Sequence, residues 1–145
     1  MTLAQTDQAG RERAAPAVDR SGHAKVVLTS QAGGHFFGDG SINGSPISFA
    51  VDTGASRVSI SVADARRMGI NYLKGQKAWS NTANGRAATY LLKFDQVQLG
   101  DIVLHNIDGA VLEDPGPPVA LLGMSFLNRM DIQRDGKTMT LTKRF

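Results

Sequence analysis

The residues with chemistry in them stand at the end of an apolar run. Phe49-Ala50-Val51 leads straight into Asp52-Thr53-Gly54-Ala55, and the alternating stretch Val58-Ser59-Ile60-Ser61 follows. An isolated ionised carboxylate is costly to bury, so an acid in such a place is paired, neutralised or put to use. Gly54 permits a tight turn and close backbone approach, which lets its amide donate to the Asp52 carboxylate. Thr53 offers a hydroxyl that can lock the loop. The product is a stiff, small-sided loop that aims one carboxylate outward. One carboxylate alone is a poor engine for amide hydrolysis. Two of them held about 3 Å apart cannot both ionise, so they share a proton. One then acts as base on a water while the other protonates the carbonyl oxygen. The chain carries a single Asp-Thr-Gly, so this chemistry calls for two chains.

Other chemistries find less support. With no cysteine in the sequence there is no disulfide, thiolate nucleophile or Cys-based zinc site. His23, His35 and His105 are far apart and form no metal-ligand spacing, so neither a metal nor a cofactor is expected. Ser125 follows Gly123-Met124, but the second glycine of a nucleophile elbow is missing. The glycine-rich run 33–40 lacks the Gly-Lys-Ser/Thr ending of a phosphate loop. A net charge of +3 and a pI near 9.5 are only mildly basic. The aromatics are not interleaved with Lys/Arg clusters, so a nucleic-acid partner is not expected. No apolar run approaches the roughly 20 residues of a membrane span, and no signal peptide is visible.

Elements must position the acid. Residues 1–22 are polar, Ala-rich and aperiodic and read as a tail or linker; residues 23–145 read as one domain. Lys25 to Ser30 is a short β-branched strand. Asn43-Gly44, Asn84-Gly85 and Asp135-Gly136 are hairpin turn signals between strand-like runs. Asp101 to Asp114 reads as two further short strands, and 115–118 as a rigid loop. One helix is expected around 61–68, capped by Ser61 with Asp64 three residues on and ended by Gly69, its inner face formed by Val62, Ala65 and Met68. A second short helix follows Gly123. Many short strands with two short helices make a mostly-β, barrel-like domain.

These residues resemble those of the retropepsin-like aspartic proteases. Asp52-Thr53-Gly54-Ala55 after Phe49-Ala50-Val51 is similar to that family's active-site signature, and Ala120-Leu121-Leu122-Gly123 to its second hallmark. Gly34-His35-Phe36, Ile42 to Pro46, Thr82-Ala83-Asn84-Gly85 and Leu121 to Leu127 resemble, in that order, the bacterial single-domain branch. The likeness runs over about residues 24 to 143. It implies a closed acid-protease barrel and an aspartic endopeptidase acting as a homodimer on a polypeptide. Asp52 would be catalytic, with Thr53, Gly54 and Ala55 as loop support and Leu121, Leu122 and Gly123 packed beneath. Thr82, Ala83, Asn84 and Gly85 would form a substrate-covering flap. It also implies that the terminal strands pair across the dimer and that Thr53 reaches the opposite loop. It favours the periplasmic side of a bacterial inner membrane, the cytoplasm being the alternative, with a tether in a longer parent. Met124 departs from the Arg that viral relatives carry there to brace the dimer, and Ser56-Arg57 from their acidic residues. In pepsin-like relatives the residue after Asp-Thr-Gly is often a Ser or Thr whose hydroxyl steadies the charged carboxylate; Ala55 lacks it, so a mildly acidic activity optimum is expected, roughly pH 5 to 6.5. Trp79 fits either the substrate cleft or core packing. A catalytically silent binding or dimerisation module is the competing reading, although such a module would not require Asp52 and Thr53.

Overall fold

The computed structural model describes residues 5–6, 12–13, 23–31, 33–82, 85–113 and 116–144. Within the segment expected to be a tail, β1 (Gln5–Thr6) and β2 (Glu12–Arg13) pair antiparallel. The domain proper is built from β3 (Lys25–Thr29), β4 (Phe37–Ile42), β5 (Ser45–Val51), β6 (Val58–Ser61), β7 (Gln76–Thr82), β8 (Gly85–Leu99), β9 (Ile102–Leu112), β10 (Ala120–Leu122), β11 (Met130–Asp135) and β12 (Thr138–Lys143). The helices are α1 (Val62–Met68) and α2 (Met124–Leu127), and a 3-10 turn spans Tyr72–Lys74.

The main sheet runs β4-β5-β10-β6-β9-β8-β7, and β4 also pairs with β8. That extra pairing closes six strands into a barrel, and β7 extends from β8 as a hairpin arm. Alternation supplies the filling. Phe49, Val58, Ile60, Phe94, Val97 and Val111 are fully buried, and residues beside them in sequence face outward or are small. Phe126 and Leu127 of α2 add to the same core.

The first hairpin turns at Asn43 (φ 50°) and Gly44 (φ 85°), as the sequence indicates; positive φ at both central residues suits the twist of a two-residue hairpin. At the last hairpin Asp135 pairs with Thr138, so the turn is Gly136-Lys137, one residue later than Asp135-Gly136. The glycine (φ 63°) takes the first turn position rather than the second. Residues 102–112 form one strand, not two. Asn106 absorbs the irregularity at φ 55°, which asparagine tolerates, and pairing with β8 resumes on both sides. Helix α1 follows its sequence signals: Ser61 Oγ accepts from the Asp64 amide at 3.1 Å, Gly69 caps at φ 74°, and Ala65 is fully buried.

The terminal strands form a sheet of their own, with β11 and β3 at its edges. β3 pairs with β12 of its own chain, and β12 with β11, in a separate three-stranded sheet. The cause is apolar register. Leu28 stands opposite Met139 and all but fully buried Leu141 stands opposite Val26, so the two strands bury their inner faces together. Among the described residues no helix is long and apolar enough to cross a membrane.

Candidate active site

The Asp52 loop hangs between two strands that do not pair with each other. Short β10 lies between β5 and β6, parallel to the first and antiparallel to the second. The Asp52 amide donates to the Leu122 carbonyl at 3.2 Å, which carries the β5–β10 ladder one residue into the loop. The chain then turns. The Ala55 amide donates to the Asp52 carbonyl at 3.2 Å, and the Gly54 amide donates to Asp52 Oδ1 at 2.9 Å. A Cβ on Gly54 would lie 3.2 Å from that oxygen, so glycine keeps the amide close to its acceptor. Asp52 is half-buried while Thr53 and Gly54 are exposed in the single chain.

The Leu-Leu-Gly segment is packed beneath the loop. Leu122 is fully buried, and Leu121 stands beside Ala50 and Ser59. Gly123 admits no side chain: a Cβ would come within 2.2 Å of the Arg57 carbonyl oxygen and 2.7 Å of that of Ala55. The first amides of α2 then clamp the loop from below. Met124 N–H donates to the Ala55 carbonyl at 2.8 Å and Ser125 N–H to the Ser56 carbonyl at 3.0 Å.

Ser125 is a contact of the Asp52 loop that sequence reasoning missed. Its Oγ accepts from the Val58 amide at 3.1 Å and donates to the Asp108 carbonyl at 2.7 Å. One hydroxyl thereby ties the exit of the Asp52 loop to β9 and α2. The only local signal was a lone hydroxyl on an apolar helical turn. Asp108 is itself held from outside by Lys93 at 2.9 Å; that hydrogen bond, opposed in part by burial, keeps its carboxyl below the usual range. Ser125→Ala leaves the Val58 amide and the Asp108 carbonyl without the hydroxyl they share. We expect a loss of about 1–3 kcal/mol in a denaturant titration. Turnover should fall with it, and recover in part in Ser125→Thr.

Register shows which face the acid shares. Ala50, Leu121, Ser59, Ala110, Leu91 and Gln76 stand side by side across β5, β10, β6, β9, β8 and β7. Directly opposed residues share a face, and alternation puts Asp52 on the face of Ala50. On this outer face Ala50, Ser59, Ala110, Thr89 and Ala87 are small and buried, and Leu121 and Leu91 stand partly exposed among them. Lys77 and Trp79 lie on the other face of β7. Trp79 is 58% exposed, so it is not a core residue of the single chain.

The hairpin arm is anchored at its base. Tyr90 donates to Glu113 Oε2 at 3.3 Å and packs edge-on against Tyr72, ring centroids 5.1 Å apart. Burial, then the Glu113 carboxylate, raises the Tyr90 phenol above its ordinary pKa. A cavity of about 390 Å³ lies here, lined by Val62, Ala63, Arg66, Tyr72 and Glu113. None of these belongs to the Asp52 loop. Thr82 pairs with Gly85, whose φ is 107°; Ala83 and Asn84 lie outside the described residues. Among the described residues no group of His, Asp or Glu is placed to hold a metal ion.

A family model described as "gag-polyprotein putative aspartyl protease" matches residues 38–129, from β4 through the end of α2. The chain belongs to this aspartyl protease family. The match takes in the Asp52 loop, the hairpin arm and the Leu-Leu-Gly segment together. A retropepsin-like aspartic protease from Rickettsia conorii superposes with a TM-score of 0.69 at 30% identity, over 83% of this chain and 92% of that one. The retropepsin-like barrel expected from the sequence is therefore the fold observed. Two uncharacterised bacterial proteins are also similar. One, in the cobV 5′ region of a Sinorhizobium species, is 33% identical over 125 residues, covering 83% of this chain and 52% of that protein. The other, RP867 of Rickettsia prowazekii, is 32% identical over 116 residues, covering 72% and 45%. The chain thus spans about half the length of these two curated relatives.

Proposed function

We propose that the protein is an aspartic endopeptidase in which two chains each contribute Asp52. The observation that carries this reading is the Gly54 amide on Asp52 Oδ1, at the tip of a loop clamped by Gly123, Met124 and Ser125. One carboxylate oxygen is held, and the group stands on an outer face beside the exposed Thr53. A second copy related by a two-fold axis would bring its own Asp52 alongside. The pair would then share one proton, activate a water and protonate the scissile carbonyl. Thr53 would hydrogen-bond across to the opposite loop. The terminal sheet, with β3 and β11 at its edges, would offer strands for pairing across the dimer beside the loops.

The arm formed by β7 and β8 would act as the flap, with Thr82, Ala83, Asn84 and Gly85 at its tip. A peptide would lie extended between the arm and that outer face, adding strand-like hydrogen bonds. Gly85→Val should raise KM or lower kcat, because a β-branched residue resists the positive φ found there. Steady-state kinetics of the folded variant check this, and unchanged constants would count against the flap assignment. The test of the whole reading is cleavage-site profiling on a peptide library with wild type and Asp52→Asn. Defined cleavage sites with wild type alone are expected. Cleavage by both, or by neither, would contradict it.

A further inference from the structure

The arm carries a second feature, on the face away from Asp52. Lys77 and Trp79 alternate along β7, and Arg86 of β8 reaches the same ring from the diagonal position. Lys77 Nζ lies 5.2 Å and Arg86 Cζ 4.9 Å from the Trp79 ring centroid. The indole is exposed, so this is not a buried packing contact. A ring in this position orients two cations and leaves their donor edges turned to solvent. The chain through the arm is rich in cations: residues 65–94 contain six Lys or Arg and no Asp or Glu, and the acid at the base of the arm is Glu113, held by Tyr90. Among the described residues β7 is also an edge strand, paired with β8 alone. An edge strand presents unpaired N–H and C=O groups at strand spacing.

We propose that the outer edge of β7 is a docking site for an extended acidic polypeptide segment. The segment would add as a further strand, its backbone pairing with Gln76–Thr82. Its alternate carboxylates would meet Lys77 and Arg86 around Trp79. Charge complementarity and the open backbone together select this occupant. An anionic lipid surface would satisfy the cations but not the strand's amides and carbonyls. A second copy of β7 would set like charges against each other. Docking here does not require Asp52 to be catalytic, and it lies on the opposite face from Asp52.

Trp79 is the only tryptophan in the sequence, so its fluorescence reports on this surface directly. The experiment uses the full chain carrying Asp52→Asn, which removes cleavage as a complication. It is titrated with a synthetic peptide alternating Glu and Thr and long enough to span β7. The comparison ligands are the same peptide with Lys for Glu, the same peptide with alternate amides N-methylated, and phosphatidylglycerol vesicles. The expected result is a saturable fluorescence change with the Glu-Thr peptide that weakens as salt is raised. Lys77→Gln and Arg86→Gln should each weaken it by about tenfold, and N-methylation should abolish it. No saturable change would overturn the proposal. So would an equal response to the Lys peptide, indifference to N-methylation, or a response to the vesicles instead of the peptide. Loss of the protease reading would appear separately, as library cleavage by Asp52→Asn.

Discussion

Asp52→Asn is expected to abolish peptide-bond cleavage and leave the barrel standing. Asparagine matches aspartate in shape, and its carbonyl oxygen can still accept from the Gly54 amide now held at 2.9 Å. It can neither take a proton from water nor share one with a partner carboxylate. Removing a positioned acid–base group costs about 10²–10⁴ in rate, and here both subunits lose theirs. Asp52 is half-buried and its loop is fixed mainly by backbone bonds to Leu122 and α2, so the melting temperature should not move beyond error. Cleavage of the best library peptide, followed beside a thermal melt, checks both halves. Near-wild-type turnover would remove Asp52 from the chemistry. A collapsed melt would mean that the carboxylate holds up the fold.

Gly123→Ala should damage the fold and the Asp52 loop together. The added carbon would meet two backbone carbonyls, those of Arg57 at 2.2 Å and Ala55 at 2.7 Å. Backbone in a clamped loop cannot rotate away as a flexible side chain would. Overpacking of this kind typically costs about 1–3 kcal/mol. The displaced atoms belong to the loop that carries Asp52, so specific activity per folded molecule should fall along with stability. Gly44→Ala is the control. A Cβ at Gly44 meets nothing within 4 Å, although its φ of 85° disfavours a side chain. That change should cost about 1–2 kcal/mol from the turn alone and leave kcat/KM unchanged. Equal activity losses in the two variants would show that the close approach at Gly123 does not govern the site.

What the sequence made legible was local. The acid at the end of an apolar strand, the glycine beside it and the Ser61 to Gly69 helix depend on neighbours a few residues apart. Gly123 was legible as part of a pattern, but its reason, the Arg57 and Ala55 carbonyls pressed against it, is a contact across some seventy residues. Ser125 was illegible for the same cause: its partners, Val58 and Asp108, come from two other strands. Residues 102–112 form one strand because β8 supplies partners on both sides of Asn106 and carries the pairing past it. The shifted last turn shows that glycine marks a hairpin without fixing its register. Which terminal strands pair, and with which copy, depends on how Leu28, Met139 and Leu141 are buried, and no spacing along the chain records that.

The claim that one active site is built from two Asp52 loops is tested most directly by mixing subunits. Wild type and Asp52→Asn are unfolded together, refolded at a series of ratios and fixed total concentration, and assayed on the best library peptide. If each site needs a functional Asp52 from both chains, activity follows the square of the wild-type fraction, so an equimolar mixture retains about a quarter of the wild-type rate. Activity proportional to the wild-type fraction, about half at the equimolar point, would show that a single chain is sufficient and contradict the two-chain site.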